Sequence, residues 1–344
     1  MPLEMVDDPQ DPNEQNQDDS SDRGGRSNFP GGGGGSLLNL LPLLLGLFRG
    51  KGSILLILLV AGGFFLMRNN SCNGLTDVVS QFTKGGMLDP NQFKKASVYE
   101  GLEDDNTKNP LPEAVSLAKF APQRLNQGQQ GSCVAWSSAY AARTIVESIS
   151  TNQDPNQVAF SPSFLYNQIG LDGCQGSYII RAMEFMTNKG AVPFQEFPYD
   201  ETDCSRQPNQ FQLNDAAQYR MHGFNRLTED DGVNNISLRA IKEHLAKDAP
   251  VVIGMMVGGS FMQDMMGQKI WYPTEEDYSQ MGFGGHAMCV VGYDDRLEGG
   301  AFQIMNSWGT DWGQNGIAWV RYSDFKQFVR EAYGVDPMPK KEQR

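Results

Sequence analysis

A chain of 344 residues, 40% hydrophobic and 20% charged, holds one sizeable domain with additional segments. Its formal charge of −13 excludes a nucleic-acid surface as the main partner. The three histidines lie far apart and the five cysteines form no C-x-x-C, so there is no zinc-ligand spacing, and neither a metal nor an organic cofactor is called for.

Residues 1–36 scatter Asp7, Asp8, Asp11, Glu14, Asp18, Asp19 and Asp22 among Pro, Asn and Gln, and then run through the glycines from Gly31 to Gly35. Such a composition cannot build a core and predicts a disordered acidic, glycine-rich tail. Residues 37–68 form a hydrophobic membrane segment of two apolar runs. The first is short and interrupted by Pro42 and Gly46; the second, 53–67, carries no charge. A spanning helix needs about 17–25 residues, which the second run reaches with Lys51 and Arg68 snorkelling at its ends. One transmembrane helix is therefore expected at about 53–67, with the first run at the interface. A cleavable signal peptide fits poorly, because the leader is long and acidic and no A-x-A site follows Met67. The charge bias across the helix is slight, with Arg49 and Lys51 on one side and Arg68 on the other.

Residues 69–110 read as a linker or short prosegment: a short helix near 75–82, then a polar tether. Cys72 has no evident partner. Either the tether, over about 98–111, covers a site further on, or control lies elsewhere. From Leu111 the pattern changes. Gln127-Gly128-Gln129-Gln130-Gly131-Ser132 leads into Cys133, after which Val134, Ala135, Tyr140, Ala141, Ile145 and Ile149 recur at helical spacing. Cys133 thus opens a helix, where free N–H groups and the macrodipole favour the thiolate, the nucleophilic form. Ser161 and Pro162 mark a second helix start, and a third helix covers about 178–188, closing at Gly190. Residues 237–248 predict an amphipathic helix with Leu238, Ile241 and Leu245 inward and His244 on the solvated face. A buried strand follows at 250–255. The methionine-rich insert 261–281 is read mainly as packing. Further strands at 286–293, 301–305 and 317–322 make a strongly twisted antiparallel sheet or half-barrel, and 335–344 is a polar tail.

Cysteine first, histidine much later and asparagine soon after is the chain order of a cysteine-peptidase triad. In this form the sequence resembles a papain-like cysteine peptidase. Four pieces carry the resemblance over residues 111–333: Gln127 six residues before Cys133; Cys133 opening a helix; Gly285-His286 before a strand ending in Gly292-Tyr293; and Asn306-Ser307-Trp308-Gly309 followed by Asp311-Trp312-Gly313. The resemblance implies an α+β fold at 111–334, with a helical lobe, an antiparallel sheet lobe and a cleft between them. It implies Cys133 as nucleophile, His286 as its partner base and acid, Asn306 as orienter of the histidine and Gln127 as oxyanion donor, with Trp308 shielding the His–Asn bond. It places Gly176, Ser177, Tyr178, Gly285 and Trp308 against substrate, with Tyr178 favouring an apolar substrate residue. Two positions depart from the family: Ser177 stands where a glycine is usual, so that its side chain narrows the approach, and Val134 stands where a tryptophan is usual, with Trp136 compensating by packing. The family ties its cysteine at the Cys174 position to one three residues before the nucleophile. That position is Gln130, which leaves Cys204 as the candidate partner, a loop of about 30 residues worth roughly 3–4 kcal/mol.

The resulting expectation is a prokaryotic-looking, single-pass membrane protein, its catalytic domain in an oxidising extracytoplasmic space. It would act on protein or peptide substrates as an endopeptidase through a thioester acyl-enzyme. The rival readings are a catalytically silent binding module on the same fold and an acyl transferase using the same thioester chemistry. The sequence sets no oligomeric state.

Overall fold

The computed structural model of the protein describes residues 83–101, 110–230 and 232–341. The acidic tail, the apolar runs including 53–67, Cys72 and the helix at 75–82 lie outside the described residues. Among the described residues no helix is long and apolar enough to cross a membrane.

The helical lobe is built on one buried helix. It starts as α-helix at Cys133–Ala135, widens to π-helical pairing over Trp136–Arg143 and returns to α-helix over Thr144–Thr151. Every residue from 133 to 148 is buried, so this helix is surrounded rather than amphipathic. Its buried Arg143 is neutralised one turn on by Glu147 at 2.8 Å, and Lys341 reaches the same carboxylate at 2.7 Å. The polar C-terminal tail is therefore docked here: Lys341 N–H donates to Ser150 O, and Ser150 Oγ–H donates to Pro339 O. The helix Pro162–Ile169 is capped by Ser161, whose Oγ accepts the Phe164 N–H at 2.9 Å. The helix Ile179–Asn188 buries Ile179, Ile180, Ala182, Met183 and Met186 against it.

The sheet lobe contains β1 (Ala114–Ser116), β2 (Phe224–Arg226), β3 (Val251–Val257), β4 (Ile270–Trp271), β5 (Gly284–Asp294), β6 (Ala301–Met305), β7 (Ile317–Arg321) and β8 (Val329–Val335). The strand order is β2-β8-β3-β5-β6-β7-β4, with β1 added to β5. Two features depart from the sequence reading. The β4–β7 pair is parallel, so the sheet is mixed. β8, which the pattern did not reveal, lies between β2 and β3; its alternation is blurred because Glu331, Ala332, Tyr333, Gly334 and Val335 are all buried. The helix Leu238–Ala246 forms with Ser237 as N-cap, but His244 is buried, not solvated. Its Nδ1 lies 3.0 Å from Ala240 O and its ring meets Tyr99 edge-on at 4.4 Å. In the methionine-rich insert, Met262, Met265 and Trp271 are core residues, whereas Met266 and Met281 are exposed.

Candidate active site

Gln127, Cys133, His286 and Asn306 come from four separate elements and meet between the lobes. The loop before Cys133 is zipped to the loop after β6: Gln127 N–H donates to Ser307 O at 2.8 Å, and Asn126 bridges to Trp308. Ser307 Oγ–H donates to Gln127 Oε1 at 2.6 Å. That bond turns the amide so that its NH2 faces the cleft. Tyr199 secures the same loop, its hydroxyl bonding Gln127 O and Ser132 Oγ, each at 2.7 Å.

Cys133 Sγ accepts the Ala287 N–H at 3.4 Å, which seats the sulfur one residue from His286 on β5. The other end of the imidazole is fixed. Asn306 Oδ1 accepts the Ser307 N–H at 2.7 Å and lies 2.8 Å from His286 Nε2, so Nε2 carries the proton and Nδ1 is the basic nitrogen. Nδ1 is buried and makes no hydrogen bond. Trp308 stacks on the ring, with centroids 4.3 Å apart and 24° between planes, covering the His–Asn bond.

The cleft is occupied by the chain itself. Residues 83–88 run along it with Gly86 paired in parallel to Ser177. Ser177 N–H donates to Gly85 O at 3.0 Å, Met87 N–H to Ser177 O at 2.9 Å and Gly86 N–H to Gly285 O at 3.1 Å. Thr83 O accepts from both Gln127 Nε2 and Trp308 Nε1 at 3.0 Å. The Gly85 N–H acts on the Cys133 sulfur as a further influence that lowers the thiol pKa. The approach requires glycine: a Cβ on Gly85 would fall 2.1 Å from Gly131 O.

Enclosure governs the protonation of the pair. Burial pushes the Cys133 thiol up to about 11, against the helix N-terminal N–H groups and the Ala287 and Gly85 donors, which lower it. Burial pulls His286 down to about 4; the Asn306 bond opposes this and the nearby Lys84 ammonium adds to it. Both shifts favour the neutral thiol and the neutral imidazole while the cleft is covered. Desolvation here opposes the thiolate that the helix position favours.

A model of the family described as papain family cysteine protease matches residues 113–335. The chain belongs to the papain family of cysteine proteases. It is a cysteine-type peptidase and therefore a hydrolase. It is 29% identical over 251 residues to a cathepsin L-like proteinase of Phaedon cochleariae, covering 69% of each chain. It is 26% identical over 227 residues to the cathepsin B-like CP2 of Giardia intestinalis, covering 61% of this chain and 68% of the relative. Among solved structures, xylellain, a cysteine protease from Xylella fastidiosa, superposes with a TM-score of 0.60 at 26% identity, over 74% of this chain and 96% of that one.

In this papain-family chain the cleft also holds the other residues read from the sequence, with changes. Ser177 does not narrow the approach: its Oγ–H turns away to donate to Ile169 O at 2.9 Å, leaving its backbone to the cleft. Gly176, at φ 118°, passes so close to the covering segment that a Cβ would meet Gly85 O. Tyr178 is half-buried beneath the Arg181 guanidinium, 5.1 Å from its ring. Cys174 and Cys204 are joined in a disulfide, Cα–Cα 6.1 Å. Gln130 instead donates from Nε2 to Asp200 O at 3.2 Å. Trp136, 2% exposed, packs edge-on against Tyr140 and Tyr199. Among the described residues the covering ones are 83–88; of the stretch 98–111, Val98 pairs with Arg226 and 102–109 lie outside the described residues. The signal missed was Gly85-Gly86, which composition reads as a linker but close approach demands. The positioning roles of Ser307 and Tyr199 had no sequence signal.

Proposed function

We propose that this protein is a membrane-anchored endopeptidase, latent in the state described, that cleaves proteins through a Cys133–His286–Asn306 triad. The His286–Asn306 bond, with Nδ1 unpaired and the neighbouring Ala287 N–H on the Cys133 sulfur, is the observation that carries the triad. Once the cleft opens and water or substrate replaces 83–88, the burial that holds both groups neutral is relieved. Cys133 then passes its proton to His286 Nδ1 and attacks the substrate carbonyl carbon. The developing oxyanion is met by Gln127 Nε2, held by Ser307, and by the Cys133 N–H. His286 returns the proton to the leaving amine, and water hydrolyses the thioester with His286 as base. Asn306, a neutral amide, suffices as orienter because the thiolate balances the imidazolium.

Latency rests on the covering segment, whose backbone takes up the hydrogen bonds of Ser177, Gly285, Gln127 and Trp308 and so occupies the cleft. The anchor is placed at 53–67 from its uncharged apolar composition, and the extracytoplasmic location rests on the Cys174–Cys204 disulfide. The test is labelling of the full chain with a thiol-directed epoxide, the adduct located by mass spectrometry. Single labelling at Cys133, absent in Cys133→Ala, together with peptide cleavage that falls about 10²–10³-fold in Gln127→Ala, supports the reading. Peptide cleavage that survives Cys133→Ala overturns it.

A further inference from the structure

Gln130 stands where the family resemblance calls for a bridged cysteine, and the chemistry above gives it no part. It is 4% exposed, and both ends of the residue are engaged. Its side-chain Nε2 donates to Asp200 O at 3.2 Å and to Glu201 O at a longer 3.4 Å. Oε1 is buried and makes no hydrogen bond, so the amide is held by its donors alone. The main-chain carbonyl serves the oxyanion donor: Gln130 O accepts from Gln127 Nε2 at 3.0 Å and from the Ser132 N–H at 2.8 Å.

These contacts complete the seating of Gln127. A side-chain amide has one oxygen and two N–H donors, and its last torsion is broad, so it needs fixing at more than one atom. Ser307 Oγ–H takes Gln127 Oε1, Gln130 O takes one N–H, and Thr83 O of the covering segment takes the other. The hydrogen on Thr83 O is the one an incoming substrate would receive, and the first two contacts aim it. Gln130 O is in turn placed by its own side chain on residues 200–201. That stretch is well secured. Asp200 N–H donates to Ser163 Oγ at 3.2 Å, the Tyr199 hydroxyl bonds Gln127 O and Ser132 Oγ, and Cys204 is bonded to Cys174. Where the resemblance implies one disulfide from the loop to Cys174, this chain has two links in series: the Gln130 amide onto 200–201, and the disulfide from Cys204.

We infer that Gln130 is a positioning residue for the oxyanion donor: its side chain, docked on the Asp200 and Glu201 carbonyls, fixes the Gln130 carbonyl that aims Gln127 Nε2 at the reacting oxygen. This rests on the peptidase reading, with Gln127 as the donor. The test uses the full chain as wild type, Gln130→Met, Gln127→Ala and the double variant. Methionine keeps the length and bulk of the side chain and removes its donors, while the main-chain carbonyl stays. Two rates are compared: kcat/KM for a peptide, and alkylation of Cys133 by iodoacetamide, which attacks a saturated carbon and forms no oxyanion. Both need an open cleft, so their ratio does not depend on the fraction of enzyme that is open. The ratio should fall about threefold to tenfold in Gln130→Met, the scale of one neutral hydrogen bond, with the loss in kcat and KM unchanged. In the Gln127→Ala background the same change should cost less than about twofold, since the donor it aims is gone. Should Gln130→Met fail to fold, Gln130→Glu, which turns an acceptor toward the two carbonyls, should lower the ratio at least as far. An unmoved ratio, or an equal loss in both backgrounds, overturns the inference while leaving the peptidase intact. Cleavage unaffected by Gln127→Ala overturns the donor role and this inference with it, and cleavage that survives Cys133→Ala overturns the peptidase reading itself.

Discussion

Residues 83–88 and 89–99 are consecutive in the chain, yet different forces hold them. The first stretch is held by main-chain hydrogen bonds to Ser177, Gly285, Gln127 and Trp308, with Gly85 against Gly131 and Gly86 against His286. Such bonds are worth about 0.5–1.5 kcal/mol each net, and water or a substrate backbone can replace them. The second stretch is held by side chains. Asp89 caps the short helix Pro90–Phe93, Phe93 is fully buried against Tyr333 with ring centroids 5.1 Å apart, and Tyr99 packs on His244. Nothing in solvent substitutes for that burial. One stretch is therefore a removable cover, and the next is part of the domain that the cover hinges on.

The largest effect that would sharpen this contrast is in the anchor. Phe93→Ala should destabilise the domain by about 3–5 kcal/mol, read as a lowered midpoint in thermal unfolding. Faster labelling of Cys133 with unchanged unfolding would break the contrast, since the anchor would then belong to the cover. Gly85→Val should do the reverse. Its side chain collides with Gly131 O, so the cover is displaced at a typical overpacking penalty of about 1–3 kcal/mol. Epoxide labelling of Cys133 should rise between about fivefold and a hundredfold while the melting temperature holds.

Acid should loosen the cover. His286 is held near 4 while covered, against an ordinary 6.5, so the covered state binds fewer protons than the open one between those values. Closure is fully favoured above about pH 6.5 and is lost as pH falls toward 4, by up to about tenfold per unit. Glu331, pushed up to about 7 by burial, titrates with the opposite sign, so the measurement belongs in Glu331→Gln. There, amide exchange at Gly85 to Met87, corrected for intrinsic rates, should quicken from pH 6.5 to 4.5; a flat profile rules the coupling out. The smallest effect is expected from Leu88→Ala. Leu88 is half-buried, so its truncation should release the cover by about 1 kcal/mol, roughly fivefold in labelling rate.

Legibility followed the range of the interactions. The helix caps at Ser161 and Ser237 and the apolar strands were readable because each depends on a few neighbouring residues. Cys133, His286, Asn306 and Gln127 could be named because their local motifs are specific. The interior strand β8 was not readable: burial on both faces removes the alternation that marks a strand. His244 was misassigned for a related reason, since Tyr99 and Gly334, remote in sequence, enclose the face that looked polar.

By itself, the amino-acid sequence determined the family and named the proposed reactive groups and their order along the chain, since these lie in short stretches whose chemistry is carried by residue type. Only the tertiary structure decided which protonation state the reactive pair holds, what lies across it and which way Ser177 faces. The first two are set by burial and by partners scores of residues away, and the third by a turn that brings Ile169 O back to the Ser177 hydroxyl. A glycine pair that reads as slack chain becomes a fitted cover only when Gly131 stands 2.1 Å from where its side chain would begin.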